Sequence, residues 1–75
     1  MITITIKLFA SLKDGRFDIR EFQCAGGTTV QEMLNSIGIR EGEYHISFVN
    51  NRHAPPAQKL MEGDILGVFP AVGGG

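Results

Sequence analysis

The chain has 75 residues, 43 % hydrophobic and only 20 % charged, with a formal net charge of −1 and one cysteine. That composition can build a core and is not that of a disordered segment, while a chain this short buries only about 60 % of its unfolded surface, so its single domain must pack efficiently. Without a basic patch there is no electrostatic support for nucleic-acid binding, no apolar run approaches the ~18 residues of a membrane span, and a lone cysteine fits a reducing compartment. Because Met1 leads straight into a strand pattern, no signal peptide is expected and the cytoplasm is the expected location.

Ile2-Thr3-Ile4-Thr5-Ile6-Lys7-Leu8 alternates strictly, which places Ile2, Ile4, Ile6 and Leu8 on one face of a strand. Ala10 to Arg16 is a polar connection containing the turn dipeptide Asp14-Gly15. Alternation resumes at Phe17-Asp18-Ile19-Arg20, so residues 1–23 read as a hairpin. Phe22 and Cys24 then fall on the opposite parity from Phe17 and Ile19, and a bulge near Arg20-Glu21 is the simplest account.

After the loop Ala25-Gly26-Gly27-Thr28, Thr29 and Glu32 have capping-box spacing. Val30, Met33, Leu34 and Ile37 follow at helical spacing, and Gly38 is a natural stop, so a short helix is expected over Val30 to Ile37. Ile39 to Glu43 reads as a charged loop. His45 to Val49 reads as a third strand with Ile46 and Phe48 on one face, followed by an Asn50-Asn51 turn. Pro55-Pro56 forbids regular pairing, Leu60 is an isolated apolar anchor, and Glu62-Gly63-Asp64 is a turn. Ile65-Leu66-Gly67-Val68-Phe69 is nearly continuous apolar, the pattern of a central strand buried on both faces. One helix on one face of a sheet makes an α+β two-layer domain, with the first and last strands paired in parallel at its middle. The expected core is Ile4, Ile6, Leu8, Val30, Leu34, Ile37, Phe48, Leu60, Ile65 and Val68.

Beyond Val68-Phe69-Pro70-Ala71-Val72 the sequence closes on Gly73-Gly74-Gly75. Two readings stand open. One is a frayed terminus or a linker remnant. The other is a carboxylate carried on a tail without side chains, able to run through a channel too narrow for other residues and to reach about 20 Å from the domain. The other chemistry-bearing residues carry less. Cys24 is either a small core residue or a thiol able to accept sulfur. His45 and His53 lack partners at metal-ligand spacing. Gly26-Gly27 has neither the lysine nor the spacing of a phosphate loop. No nucleophile–base–acid constellation is present, so the chain is not read as an enzyme on its own.

Thr29-Val30 opening the helix, Val49-Asn50 closing a strand, Leu60 before Glu62-Gly63-Asp64, then Phe69-Pro70-Ala71-Val72 and the glycine end together resemble the ubiquitin-like sulfur carriers of the MoaD/ThiS family. The resemblance covers the whole chain. Leu8-Phe9-Ala10 with Leu12, and the long connection after the first strand, are similar to the small subunit of molybdopterin synthase. The tail departs from the family's Pro-Pro-Val-Ala-Gly-Gly at Ala71 and Gly73, leaving the terminal pair intact. The resemblance implies a β-grasp domain over 1–72, with a mixed four- to five-stranded sheet on one main helix, and a flexible glycine tail over 73–75. It implies that Gly75, preceded by Gly74, is adenylated and converted to a thiocarboxylate, with Phe69, Pro70, Val72 and Gly73 meeting partner proteins. Those partners would be an ATP- and magnesium-dependent adenylating enzyme, a sulfur donor protein and the molybdopterin synthase large subunit. No cofactor is expected on the chain itself. Thiamine precursors or tRNA as the sulfur acceptor, or a role as a ubiquitin-like protein modifier, are the alternatives.

Overall fold

In the computed structural model, residues 1–40 and 42–71 are described. They form strand β1 (Ile2–Leu8), a 3-10 turn (Ala10–Lys13), β2 (Ile19–Cys24), helix α1 (Val30–Ser36), β3 (Tyr44–Val49), the two-residue β4 (Arg52–His53) and β5 (Ile65–Pro70). The sheet runs in the order β2-β1-β5-β3-β4. Only β1 and β5 pair in parallel, at the centre; the other neighbours are antiparallel. Helix and sheet enclose one core, and the architecture is a ubiquitin-like β-grasp, as the resemblance implies.

β1, β3 and β5 contribute alternate residues to that core, β2 contributes Cys24, and both residues of β4 are exposed. Ile4, Ile6 and Leu8 from β1 meet Leu66 and Val68 from β5, Val49 from β3, and Val30, Met33 and Leu34 from α1. Leu60 is buried too, and its N–H donates to the Thr28 carbonyl at 2.8 Å, which ties the long β4–β5 connection to the loop before the helix. Ser47 is the one buried polar side chain among the described residues; its hydroxyl donates to the Ala54 carbonyl at 3.0 Å.

Seven residues are too few for a helix to stand alone, and α1 is held by its ends as well as by its apolar face. Thr29 Oγ1 accepts from the Glu32 N–H at 3.1 Å, and Glu32 Oε1 accepts from the Thr29 N–H at 2.9 Å. At the other end Gly38 takes φ +85°, its N–H donating to the Asn35 carbonyl while that of Ile39 reaches back to Leu34. This left-handed cap satisfies carbonyls the helix leaves open and turns Ile39 into the core.

The structure corrects the expectations at four places. β1 and β2 pair in unbroken register from Ile2–Cys24 to Lys7–Ile19, so no bulge lies at Arg20-Glu21. Phe17 instead precedes the strand, its ring 5.3 Å from that of Phe22 and under the Arg20 guanidinium, so its parity belongs to the loop. The register shift of the sheet falls between Tyr44 and Ile46, opposite the end of β5. The strand Ile65–Pro70 is central, yet it is covered on one face only: Leu66 and Val68 are buried while Ile65 and Phe69 are 41 % and 36 % exposed. Ile65 and Phe48 therefore leave the expected core, and Ile37 lies at its margin. Met33 of the helix stripe, Leu66 of the central strand and Cys24 are buried as the sequence reading allowed, and Leu12, Ile39, Val49 and Ala54 join them. Cys24 is thus a core side chain.

Candidate functional site

The face of the sheet away from α1 is open. Register places Ile19, Lys7, Gly67, Phe48 and His53 in one row across all five strands. Glycine stands at the middle of that row. A Cβ built on Gly67 would lie 3.4 Å from Cε2 of Phe9, in close contact, so the Phe9 ring lies directly against the bare glycine. Phe9 leaves β1 and lies over this gap, its N–H donating to the Val68 carbonyl at 3.1 Å. Its ring stacks on that of Phe69, centroids 4.3 Å apart and 3° from parallel. Phe48 meets Phe69 edge-on at 5.8 Å, and the His53 ring meets Phe48 edge-on at 6.4 Å.

The result is a continuous aromatic surface bearing a shallow cleft of about 270 Å³, lined by Lys7, Phe9, Phe48, Asn51, Ile65, Gly67 and Phe69. Phe9, Ile65 and Phe69 are all more than a third exposed. Clustered apolar exposure of this kind has the character of surfaces at which small domains meet partners. Lys7 and Asn51 at the rim supply polar groups beside it. His53 belongs to this surface as a ring, and His45 is exposed on the same strand as Tyr44, with neither in a ligand cluster. Among the described residues no group of three or more His, Cys, Asp or Glu converges as a metal site would require.

The same strand that carries Phe69 delivers the chain to its glycine end. Pro70 is the last residue of β5 and pairs with Tyr44; lacking an N–H, it costs no ladder bond at a strand end. Phe69 and Pro70 are therefore part of the sheet rather than an extension beyond it. Ala71 follows, its N–H donating to the Glu43 carbonyl at 3.2 Å. Val72, Gly73, Gly74 and Gly75, on which the expected chemistry rests, lie outside the described residues. The structure thus joins Phe69 to Phe9, Phe48, Ile65 and Gly67, which sequence reasoning did not assign to the site, while Pro70 stands at the strand end opposite Tyr44 and does not line that surface.

Two turns that carry the sequence resemblance prove to be one network. Asn50 takes φ +53°, and its side chain donates to Asp64 Oδ1 while accepting from the Ile65 N–H, both at 2.9 Å. Asp64 Oδ2 accepts from the Met61 N–H at 2.8 Å. This network aligns β5 against β3 and so sets the register in which Phe69 meets Phe48.

A family model described as the ThiS family matches residues 6–75. No curated protein matches the chain closely enough to count as a relative. Among solved structures, a candidate molybdopterin converting factor subunit 1 from Pyrococcus furiosus superposes with a TM-score of 0.76 at 26 % identity, covering 96 % of this chain and 100 % of that one. The Haloferax volcanii HVO 2177 protein gives 0.77 at 26 % identity, covering 99 % and 87 %. The small archaeal modifier protein 1 of Haloferax volcanii gives 0.74 at 20 % identity, covering 96 % and 100 %, a likeness of fold.

Proposed function

The chain belongs to the ThiS family, and from that premise we propose that it is a sulfur carrier whose Gly75 carboxylate is activated and thiolated, serving as the small subunit of a molybdopterin synthase. The observation that carries the reading is the continuity of one strand. β5 holds Phe69 in the exposed aromatic surface and runs directly through Pro70 and Ala71 toward the glycine end. A partner gripping that surface receives the tail at a fixed distance.

The chemistry follows from the poor reactivity of a carboxylate. Attack of the Gly75 carboxylate on ATP forms an acyl adenylate and releases pyrophosphate, which installs AMP as a leaving group. Sulfide-level sulfur from a donor displaces AMP and leaves a thiocarboxylate; its sulfur attacks an acceptor on a partner protein, displacing the acceptor's leaving group, and water then cleaves the resulting thioester, which returns the carboxylate and leaves the sulfur on the acceptor. ATP, magnesium and the catalytic groups belong to the activating enzyme; the chain supplies the acyl carbon and its presentation. Docking converts an encounter in solution into an oriented one, and the affinity of the aromatic surface offsets the ordering of the tail, about 1–2 kcal/mol of backbone entropy per residue. Assignment to molybdopterin rests on the long β1–β2 connection with its 3-10 turn, and on the likeness to the Pyrococcus protein.

The test is intact mass after incubation with an activating enzyme, ATP and a sulfur donor. A carrier gains about 16 Da, one sulfur replacing one oxygen, through the adenylate that adenylation makes possible. A modifier gives conjugates heavier by a whole chain, and an inert terminus gives no change; either result rejects the carrier reading. Copurification with a molybdopterin synthase large subunit decides the acceptor. A thiazole-forming or tRNA-thiolating partner in its place moves the chain to those pathways.

A further inference from the structure

Arg16 sits in the loop after the Gly15 turn and reaches three segments at once. Its Nη1 donates to the Leu12 carbonyl of the 3-10 turn at 3.2 Å. Its Nη2 donates to the Gly38 carbonyl beyond α1 at 3.2 Å and to Glu43 Oε2 before β3 at 3.5 Å. Glu43 is fastened on its other side as well, Oε1 accepting from the Arg40 N–H at 2.8 Å and its own N–H donating to the Arg40 carbonyl at 3.0 Å. The carbonyl of this doubly held residue accepts from the Ala71 N–H, the backbone bond furthest along the chain among the described residues. Because Pro70 has no N–H, that single bond holds Ala71 to the turn before β3.

We propose that Arg16 is a positioning residue: with Glu43 it forms a clasp that fixes the direction in which the tail leaves the sheet after Ala71. The inference rests on the reading that Gly75 is activated. A partly exposed ion pair at this distance contributes little to global stability. Its effect is local, on how firmly Ala71 is held to the turn before β3 when the domain is docked. Docking itself uses the aromatic surface, which Arg16 does not line. Loss of the clasp therefore leaves affinity unchanged and lowers the fraction of docked chains whose carboxylate reaches the reactive position. Arg16→Lys rescues poorly, since a single ammonium cannot reproduce a planar fork shared among three acceptors.

The experiment compares the wild-type chain with Arg16→Ala, Arg16→Lys and Glu43→Gln in two measurements. Amide hydrogen exchange is expected to quicken at Ala71 in all three while Ile6 and Val68 keep their protection. ATP–pyrophosphate exchange, run with an adenylating enzyme that activates the wild-type chain, is expected to show kcat reduced by about tenfold in Arg16→Ala with KM for the carrier unchanged, since misplacement by about 1 Å can cost up to 10²-fold. Unchanged Ala71 exchange, an unchanged kcat, or protection lost throughout the core each overturns the proposal. If no enzyme activates the wild-type chain, it is the carrier reading that fails, and the Ala71 exchange decides the clasp alone.

Discussion

Ile6 and Ile65 are the same side chain in adjacent central strands, and their environments are opposite. Ile6 is wholly buried and Ile65 is 41 % exposed. Ile6→Ala should therefore cost about 2–5 kcal/mol, read by denaturant unfolding, and Ile65→Ala clearly less; equal losses would contradict the one-sided sheet. Gly67 gives a sharper residue-scale test. Gly67→Val gains strand propensity, but loss of the Phe9–Phe69 stack, about 0.5–1.5 kcal/mol, should offset it and leave the melting temperature equal or lowered. Its methyls occupy the place of Phe9, so the Phe9–Phe69 stack should open, visible as lost ring-to-ring NOEs, and binding to the activating enzyme should weaken. Retained NOEs and affinity would show that Phe9 does not depend on the gap. Parity already distinguished Phe48 from Val49, but not which of the two faced the helix. A buried Ser47 decided that, and a serine gives no apolar signal.

Helix α1 was the element most legible in the sequence because its signals are local. Thr29, Glu32 and Gly38 act through bonds within a few residues, and each bond is present. Thr29→Ala should cost about 1 kcal/mol, read by denaturant unfolding, and no measurable loss would mean that the Gln58 and Pro56 carbonyls, which accept from the first helical N–H groups, hold the helix start unaided. The β1–β2 connection was less legible, since Leu12 is a lone apolar residue in a polar stretch and its burial depends on a 3-10 turn docked against β5. The turn before β3 adds a pH-sensitive element. The Arg40 N–H bonded to the Glu43 carboxylate, and then the Arg16 charge, hold its pKa below the ordinary 4.5. A depressed folded pKa means that its contribution is present above 4.5 and is lost as pH falls through the lower folded value. The protection of the Ala71 amide, its exchange rate taken relative to the intrinsic rate at each pH, should fall over that acid range in the wild type, and Glu43→Gln should remove this change in protection.

At the scale of the whole molecule the two faces of one sheet divide the work. The helix face provides stability, and the open face spends apolar area on exposure that a monomer has no use for. That division was hidden in the sequence because Ile65-Leu66-Gly67-Val68-Phe69 is apolar on both parities; a docking face and a buried face look alike until the helix is placed. Phe69→Ala separates the two roles. Phe69 is partly covered by Phe9 and Phe48, so its loss should destabilise the fold by about 0.5–1.5 kcal/mol for the ring contacts. As the centre of the patch it should lose more in binding, about 2 kcal/mol or roughly 30-fold in Kd for the activating enzyme. The tail responds in the opposite way. Replacing Gly74 by Phe, or adding a bulky residue after Gly75, alters no residue of the core or the patch, so unfolding and Kd should stay as in the wild type while adenylation stops. A Phe69→Ala chain with unchanged Kd would remove the aromatic surface from the reaction. A bulky-tailed chain that is still adenylated and still thiolated at the normal rate would remove the glycine end, and with it the carrier function.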